Sequence, residues 1–178
     1  MCRWLAIVLV AALAPVAGAQ TDITFAAGTD FRSLKTFAIR DGVIDSDKPE
    51  INNRLFRQRL ESSIRAALIK KGLREAPDQP DAWVTYSVRD KEVRAVQRLG
   101  PTRIPGARGQ GGPEVIVQGP QATPVLYNEG VLVIDLSSAS NSLLWRGTQQ
   151  DRAASAPKLS KQLSENARKL LARFPPKK

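Results

Sequence analysis

The chain of 178 residues has no histidine, one cysteine and one methionine. Cys2 and Met1 occupy its first two positions, so the rest carries neither sulfur nor imidazole. That absence excludes whole classes of chemistry from residue 3 onward. No disulfide can form, and there is no thiolate nucleophile or imidazole base. A Cys/His zinc, haem or iron–sulfur site has no ligands, and no cofactor is expected. Long apolar runs are equally scarce, the longest being Trp4–Leu13. It is about half of the roughly 20 residues a membrane-spanning helix requires, so no transmembrane anchor is expected.

What surrounds that run reads as an export signal. Arg3 and the amino terminus supply positive charge ahead of it, and Pro15 ends it. Val16-Ala17-Gly18-Ala19 offers the small residues of a signal-peptidase site. Residues 1–19 are therefore expected to be a cleaved signal peptide, with the cut between Ala19 and Gln20 and delivery to the periplasm. The remaining 178 less 19, or 159, residues suit one α+β domain over 20–178. Its charge is 27 less Arg3, or 26, basic residues against 17 acidic ones, a net +9. Such an excess raises the question of nucleic acid, but an exported protein meets other polyanions: lipid headgroups, lipopolysaccharide and acidic envelope polymers. No nucleic-acid partner is expected.

The pattern beyond the leader alternates strands with two helices. Ile23-Thr24-Phe25 is a short apolar stretch, broken at Gly28-Thr29-Asp30, and Leu34–Ile39 alternates as a strand before an Asp41-Gly42 turn. From Ile51 to Lys71, Leu55, Leu60, Ile64, Ala67 and Leu68 recur near helical spacing. Arg54, Arg57, Glu61 and Arg65 are expected on its outer face and Gly72 at its stop. Asp45, Asp47 and Glu50 around Pro49 suit the positive end of that helix. Ala82–Val88 alternates as a strand with room to continue to Val96. Val131–Leu136 and Leu143–Thr148 flank small, polar Ser137–Ser142 as a hairpin. Leu159, Leu163, Ala167, Leu170, Leu171 and Phe174 form one helical stripe, stopped by Pro175-Pro176. Each helix has one apolar face and needs a sheet face to cover it. The expected fold is a two-layer α+β sandwich, with a mainly antiparallel sheet and both helices on one face. A Gly/Pro-rich loop at about 99–124 interrupts it, in which Val115-Ile116-Val117 alone suits brief pairing.

The string Tyr127-Asn128-Glu129-Gly130-Val131-Leu132-Val133-Ile134-Asp135-Leu136, followed by Leu143-Leu144-Trp145-Arg146-Gly147-Thr148, resembles the signature hairpin of domain-of-unknown-function family 4136. Three further stretches resemble the family: Thr29-Asp30-Phe31 through Ala38, Leu68 to Leu73, and Leu170-Leu171 to Phe174-Pro175-Pro176. The resemblance implies an exported α+β domain of the bacterial envelope, and it transfers no catalytic residue. Many relatives look like lipoproteins. This chain departs from them, because Ala19 stands where a lipobox needs cysteine and Cys2 precedes the apolar run. A lipid anchor is not expected.

Several motifs carry possible chemistry. Ser155-Ala156-Pro157-Lys158 matches the Ser-x-x-Lys of penicillin-interacting acyl enzymes, but their Ser-Asp-Asn and Lys-Thr-Gly partners are absent. A serine there also suits a helix start. Asp45-Ser46-Asp47 and Asp78-Gln79-Pro80-Asp81 are paired carboxylates, suited to a hard cation or to acid–base work, or to a helix start and a turn. Gly106–Gly112 superficially suggests a phosphate loop, yet no Lys-Ser or Lys-Thr follows. Trp83, Tyr86, Tyr127 and Trp145 suit core or cross-strand positions. Arg89, Lys91, Arg94, Arg98, Arg103 and Arg108 gather across the third strand and the loop, only partly offset by Asp90 and Glu92.

No catalytic, cofactor or metal residue is assigned on this basis. Arg94, Arg98, Arg103 and Arg108 are the expected contact surface of a non-catalytic periplasmic or envelope-associated module. Its partner would be an envelope component, a protein or an anionic polymer. The alternative is a periplasmic hydrolase using Ser155 and Lys158 or a carboxylate pair.

Overall fold

A computed structural model describes residues 20–97, 102–103, 116–117 and 123–176. Along the chain these form β1 (Gln20–Phe25), β2 (Thr36–Ile39), β3 (Val43–Asp45), α1 (Arg54–Lys70), β4 (Arg74–Glu75) and β5 (Ala82–Gln97). There follow β6 (Thr102–Arg103), β7 (Ile116–Val117), β8 (Thr123–Ser138), β9 (Leu143–Ala153) and α2 (Ala156–Ala172). The main sheet has seven strands in the order β1-β9-β8-β5-β2-β4, with β3 also on β5. Its antiparallel half is β1, β9, β8 and β5, while β2, β3 and β4 pair in parallel. This is the expected α+β sandwich. The parallel pairings arise because α1 returns the chain to the side of the sheet it left.

One sheet face is apolar. Val84, Tyr86 and Val88 of β5 stand opposite Leu136, Ile134 and Leu132 of β8, all buried. Both helices lie on that face. Tyr86 Oη donates to Glu61 Oε1 of α1 at 2.6 Å. A Cβ on Gly130 or Gly147 would meet Leu159 or Leu170 of α2. The stripe predicted for α2 is entirely buried, and Phe174 beyond its end stacks edge-on with Trp145 and Phe31.

Helix α1 buries Leu60, Ile64 and Leu68 as expected and departs from expectation in its first turn and start. Asn53 caps it, its Oδ1 accepting from the Phe56 amide at 2.8 Å, and its first turn holds no acid. The acidic run at 45–50 therefore does not complement a helix dipole: Asp45 closes β3 and pairs with Arg89 at 3.1 Å. The buried stripe is Phe56, Leu60, Ile64 and Leu68, spaced by four, and Leu55 is exposed. Arg57 and Glu61 do not simply face solvent. They grip the Tyr86 hydroxyl and the Gly42 carbonyl over the sheet end. Burial and the Glu61 contact together push the Tyr86 hydroxyl well above its ordinary pKa.

Strand lengths also differ. β2 begins at Thr36, two residues later than expected, whereas β5 takes up the room expected for it, running through Val96 to Gln97. β8 starts at Thr123, inside the stretch expected to be loop. Within that stretch Ile116-Val117 pairs with Thr102-Arg103 in a separate two-stranded ladder, not with the main sheet. The leader residues, Ala19 included, and the Gly106–Gly112 segment lie outside the described residues.

Candidate functional site

The contact surface expected around Arg94 falls on an arm of the sheet. β5 and β8 pair without a break from Ala82↔Ser138 to Gln97↔Thr123. β9 ends its pairing at Asn128↔Ala153, and β3 at Asp45↔Arg89. Past those rungs no third strand accompanies the ribbon among the described residues, so Val93–Gln97 extends roughly 17 Å as a two-stranded arm. Arg94 lies on it, exposed, opposite Leu126. The arm is otherwise apolar for an exposed ribbon: Val96 is 66% exposed, Leu126 53% and Val125 37%. Arg103 falls in β6, but its side chain, like Arg98 and Arg108 as a whole, lies outside the described residues. Of the four predicted arginines, one is thus placed with its side chain.

Charge is ordered at the base of the arm, on the sheet face away from the helices. Glu129 stands between Lys91 and Arg152 in register, at 3.3 and 3.5 Å, and Gln150 Nε2 also donates to it. The carboxylate is 5% exposed. Burial pushes its pKa up, but the donors Gln150 and Lys91 and the charges of Lys91 and Arg152 outweigh burial and hold it below the usual range. Arg152 also lies 5.3 Å over the Tyr127 ring. Further along the same face Arg146 meets Asp135 in a two-pronged pair at 2.7 Å, and Arg40 stacks 4.0 Å over Trp83. Much of the basic charge in the sheet is thus matched in cross-strand pairs, whereas Arg94 has no acidic partner among the described residues.

The catalytic candidates do not assemble. Ser155 occupies the N-cap position of α2 without a side-chain cap bond, and Lys158 is exposed one turn on, with no hydrogen bond joining them. Asp81 serves β2: its Oδ2 accepts from the Lys35 and Thr36 amides at 2.8 Å and from Thr36 Oγ1 at 2.9 Å. The Lys35 amide, with Thr36, holds this carboxyl below its ordinary value. Among the described residues no group of three or more Cys, Asp or Glu suits a metal ion, and no helix is long and apolar enough to cross a membrane.

A second polar site was not anticipated from sequence. Between α2 and the β1–β9 edge lies a cleft of about 400 Å³, lined by Thr21, Gln149, Asp151, Gln162, Asn166 and the rim residues Glu165, Lys169 and Arg173. Asp151 is 3% exposed; its Oδ1 accepts from Asn166 Nδ2 at 2.7 Å and from Gln149 Nε2 at 3.5 Å. Thr21 Oγ1 donates to Gln149 Oε1 at 2.6 Å. The readable signal was the alternation of Trp145 and Gly147, which, carried past Thr148, turns Gln149, Asp151 and Ala153 inward.

Comparison with known proteins agrees with the fold. The chain is similar to a PDZ domain protein from Parabacteroides distasonis, at 18% identity and a TM-score of 0.53. The match covers 90% of this chain but only 37% of that one, so it spans little more than a third of that protein's length. The chain is also similar to the PelC dodecamer from Paraburkholderia phytofirmans, at 12% identity and a TM-score of 0.46, covering 86% of this chain and 96% of that. That weaker likeness bears on neither mechanism nor assembly here. No curated protein matches the chain. Residues 21–176, nearly everything described, match the family termed Domain of unknown function (DUF4136), and the chain belongs to that family.

Proposed function

We propose that this protein is a non-catalytic, periplasmic or envelope-associated module that binds another envelope component through the β5–β8 arm. The observation that carries this reading is the arm itself: a ribbon extending beyond the sheet, with exposed Val96, Val125 and Leu126 beside Arg94, which has no acidic partner among the described residues. Charged and apolar groups presented together on a projecting element suit recognition, because binding residues concentrate on segments held out from a rigid scaffold. The leader-like residues 1–19 support export, and the family resemblance points to the same compartment. A chain without histidine, and without cysteine past position 2, supports a binding role over catalysis.

The test is retention of residues 20–178 on phosphatidylglycerol vesicles, lipopolysaccharide and cell-wall sacculi across a salt series. Retention on at least one, weakening as salt rises, is expected. Replacing Arg94, Arg98, Arg103 and Arg108 together with Ser is expected to abolish it. Unchanged retention in that variant removes the arm from the account.

A further inference from the structure

We infer that the cleft between α2 and the β1–β9 edge is a ligand site for a small zwitterion, which places a primary ammonium group on Asp151 and an anionic group at the rim. This goes beyond the envelope-binding role and involves none of the arm's residues.

The case begins with a charge that the fold leaves unmatched. Asp151 is a buried carboxylate whose contacts are amides, and among the described residues no lysine or arginine nitrogen lies within 4.0 Å of it. A buried carboxylate is destabilising when nothing of opposite charge accompanies it. Its Oδ2 has no hydrogen-bond partner, and neither has the buried Oε1 of Gln162 on the facing helix. Both residues line the same cleft. Two orphan acceptors, one of them charged, call for a cationic group carrying several N–H donors. A primary ammonium has three such donors and no acceptor.

The surrounding hydrogen bonds hold that arrangement in place. Asn166 and Gln149 aim their amide nitrogens at Asp151 Oδ1, and Oδ2 is left buried without a partner. Thr21 in turn fixes the Gln149 oxygen. A hard divalent cation is poorly served, since it takes six or more oxygens and the cleft offers carboxylates only from Asp151 and, at its rim, Glu165. Lys169, in the last turn of α2, and Arg173, its C-cap residue, both line the mouth. Their charge suits a carboxylate or phosphate on the far end of the ligand. The cleft volume of about 400 Å³ lies at the small end of ligand pockets and admits a small amino acid rather than a polymer.

The experiment is an NMR titration of residues 20–178 with glycine, β-alanine and 4-aminobutyrate, following the side-chain amides of Asn166 and Gln149. N,N,N-Trimethylglycine, which keeps both charges but has no N–H donor, is the control. Saturable shifts of both amides with at least one amino acid, and none with the trimethylated compound, are expected. Asp151→Asn keeps an acceptor for Asn166 and removes the charge; it is expected to weaken binding by at least about tenfold, the scale of losing one side of a buried charge pair. Gln162→Leu, at a partly buried position, weakens it several-fold and decides the matter should Asp151→Asn fail to fold. The inference is overturned by no saturable shift with any of the three, by equal shifts with the trimethylated control, or by full binding in either folded variant. Shifts produced by Mg²⁺ or Ca²⁺ alone overturn it in favour of a cation site.

Discussion

Gly147 shows how closely the sheet meets α2. A Cβ there would come within 2.4 Å of Trp145 and 2.8 Å of Leu170, both fully buried. Gly147→Ala is accordingly expected to destabilise the fold by about 1–3 kcal/mol, the usual scale of overpacking, as read from a urea melt. Two carboxylates tie stability to pH at the same scale. Asp81 and Glu129 are both held below their ordinary values, so the unfolded chain binds protons that the folded chain refuses. Their contribution is complete above the unfolded value of about 4 and disappears as pH falls through the lower folded values. Urea midpoints are expected to drop as pH goes from about 5 to 2, and less steeply for Asp81→Asn. An identical slope in that variant would contradict the role given to the Lys35 and Thr36 amides.

The elements differ in how far they could be read from residues alone. Helix α2 was fully legible, because every member of its stripe is apolar and every one is buried. Helix α1 was read in the right phase at Leu60, Ile64 and Leu68, and wrongly only in its first turn, where Phe56 and not Leu55 is buried. Leu55 and Phe56 are both apolar, and it is Phe56 that shares the spacing of four with buried Leu60, Ile64 and Leu68. Phe56→Ala is expected to cost about 3–5 kcal/mol, and Leu55→Ala about 0.5 kcal/mol or less, in paired chemical melts. The start of β8 was illegible for a different reason, whereas the room for β5 to continue to Val96 was legible. Beyond Val88 charged residues occupy both faces, which erases apolar alternation, yet the ladder continues through pairs such as Lys91–Glu129. β3 and β4 span three and two residues, too short for any periodicity. Asp151 and Gln149 escaped notice because polar residues in a strand suggest solvent, and only the position of α2 buries them.

At the scale of the whole molecule, the described residues divide into a sandwich with a dense core and an arm with little packing from other described residues. Amide exchange is expected to follow that division. Residues 93–96 and 125–127 should exchange well ahead of 84–88 and 132–136, since opening is easiest where few apolar contacts hold the ladder. Equal protection along both strands would show the arm to be covered in solution. Such an arm is useful to an envelope module only if the protein reaches the envelope. The compartment therefore carries the functional account, and intact-mass analysis of the chain recovered after cell fractionation tests it most directly. The account predicts a protein in the periplasmic or envelope fraction whose first residue is Gln20. A cytosolic protein retaining Met1 and the residues through Ala19 would contradict it.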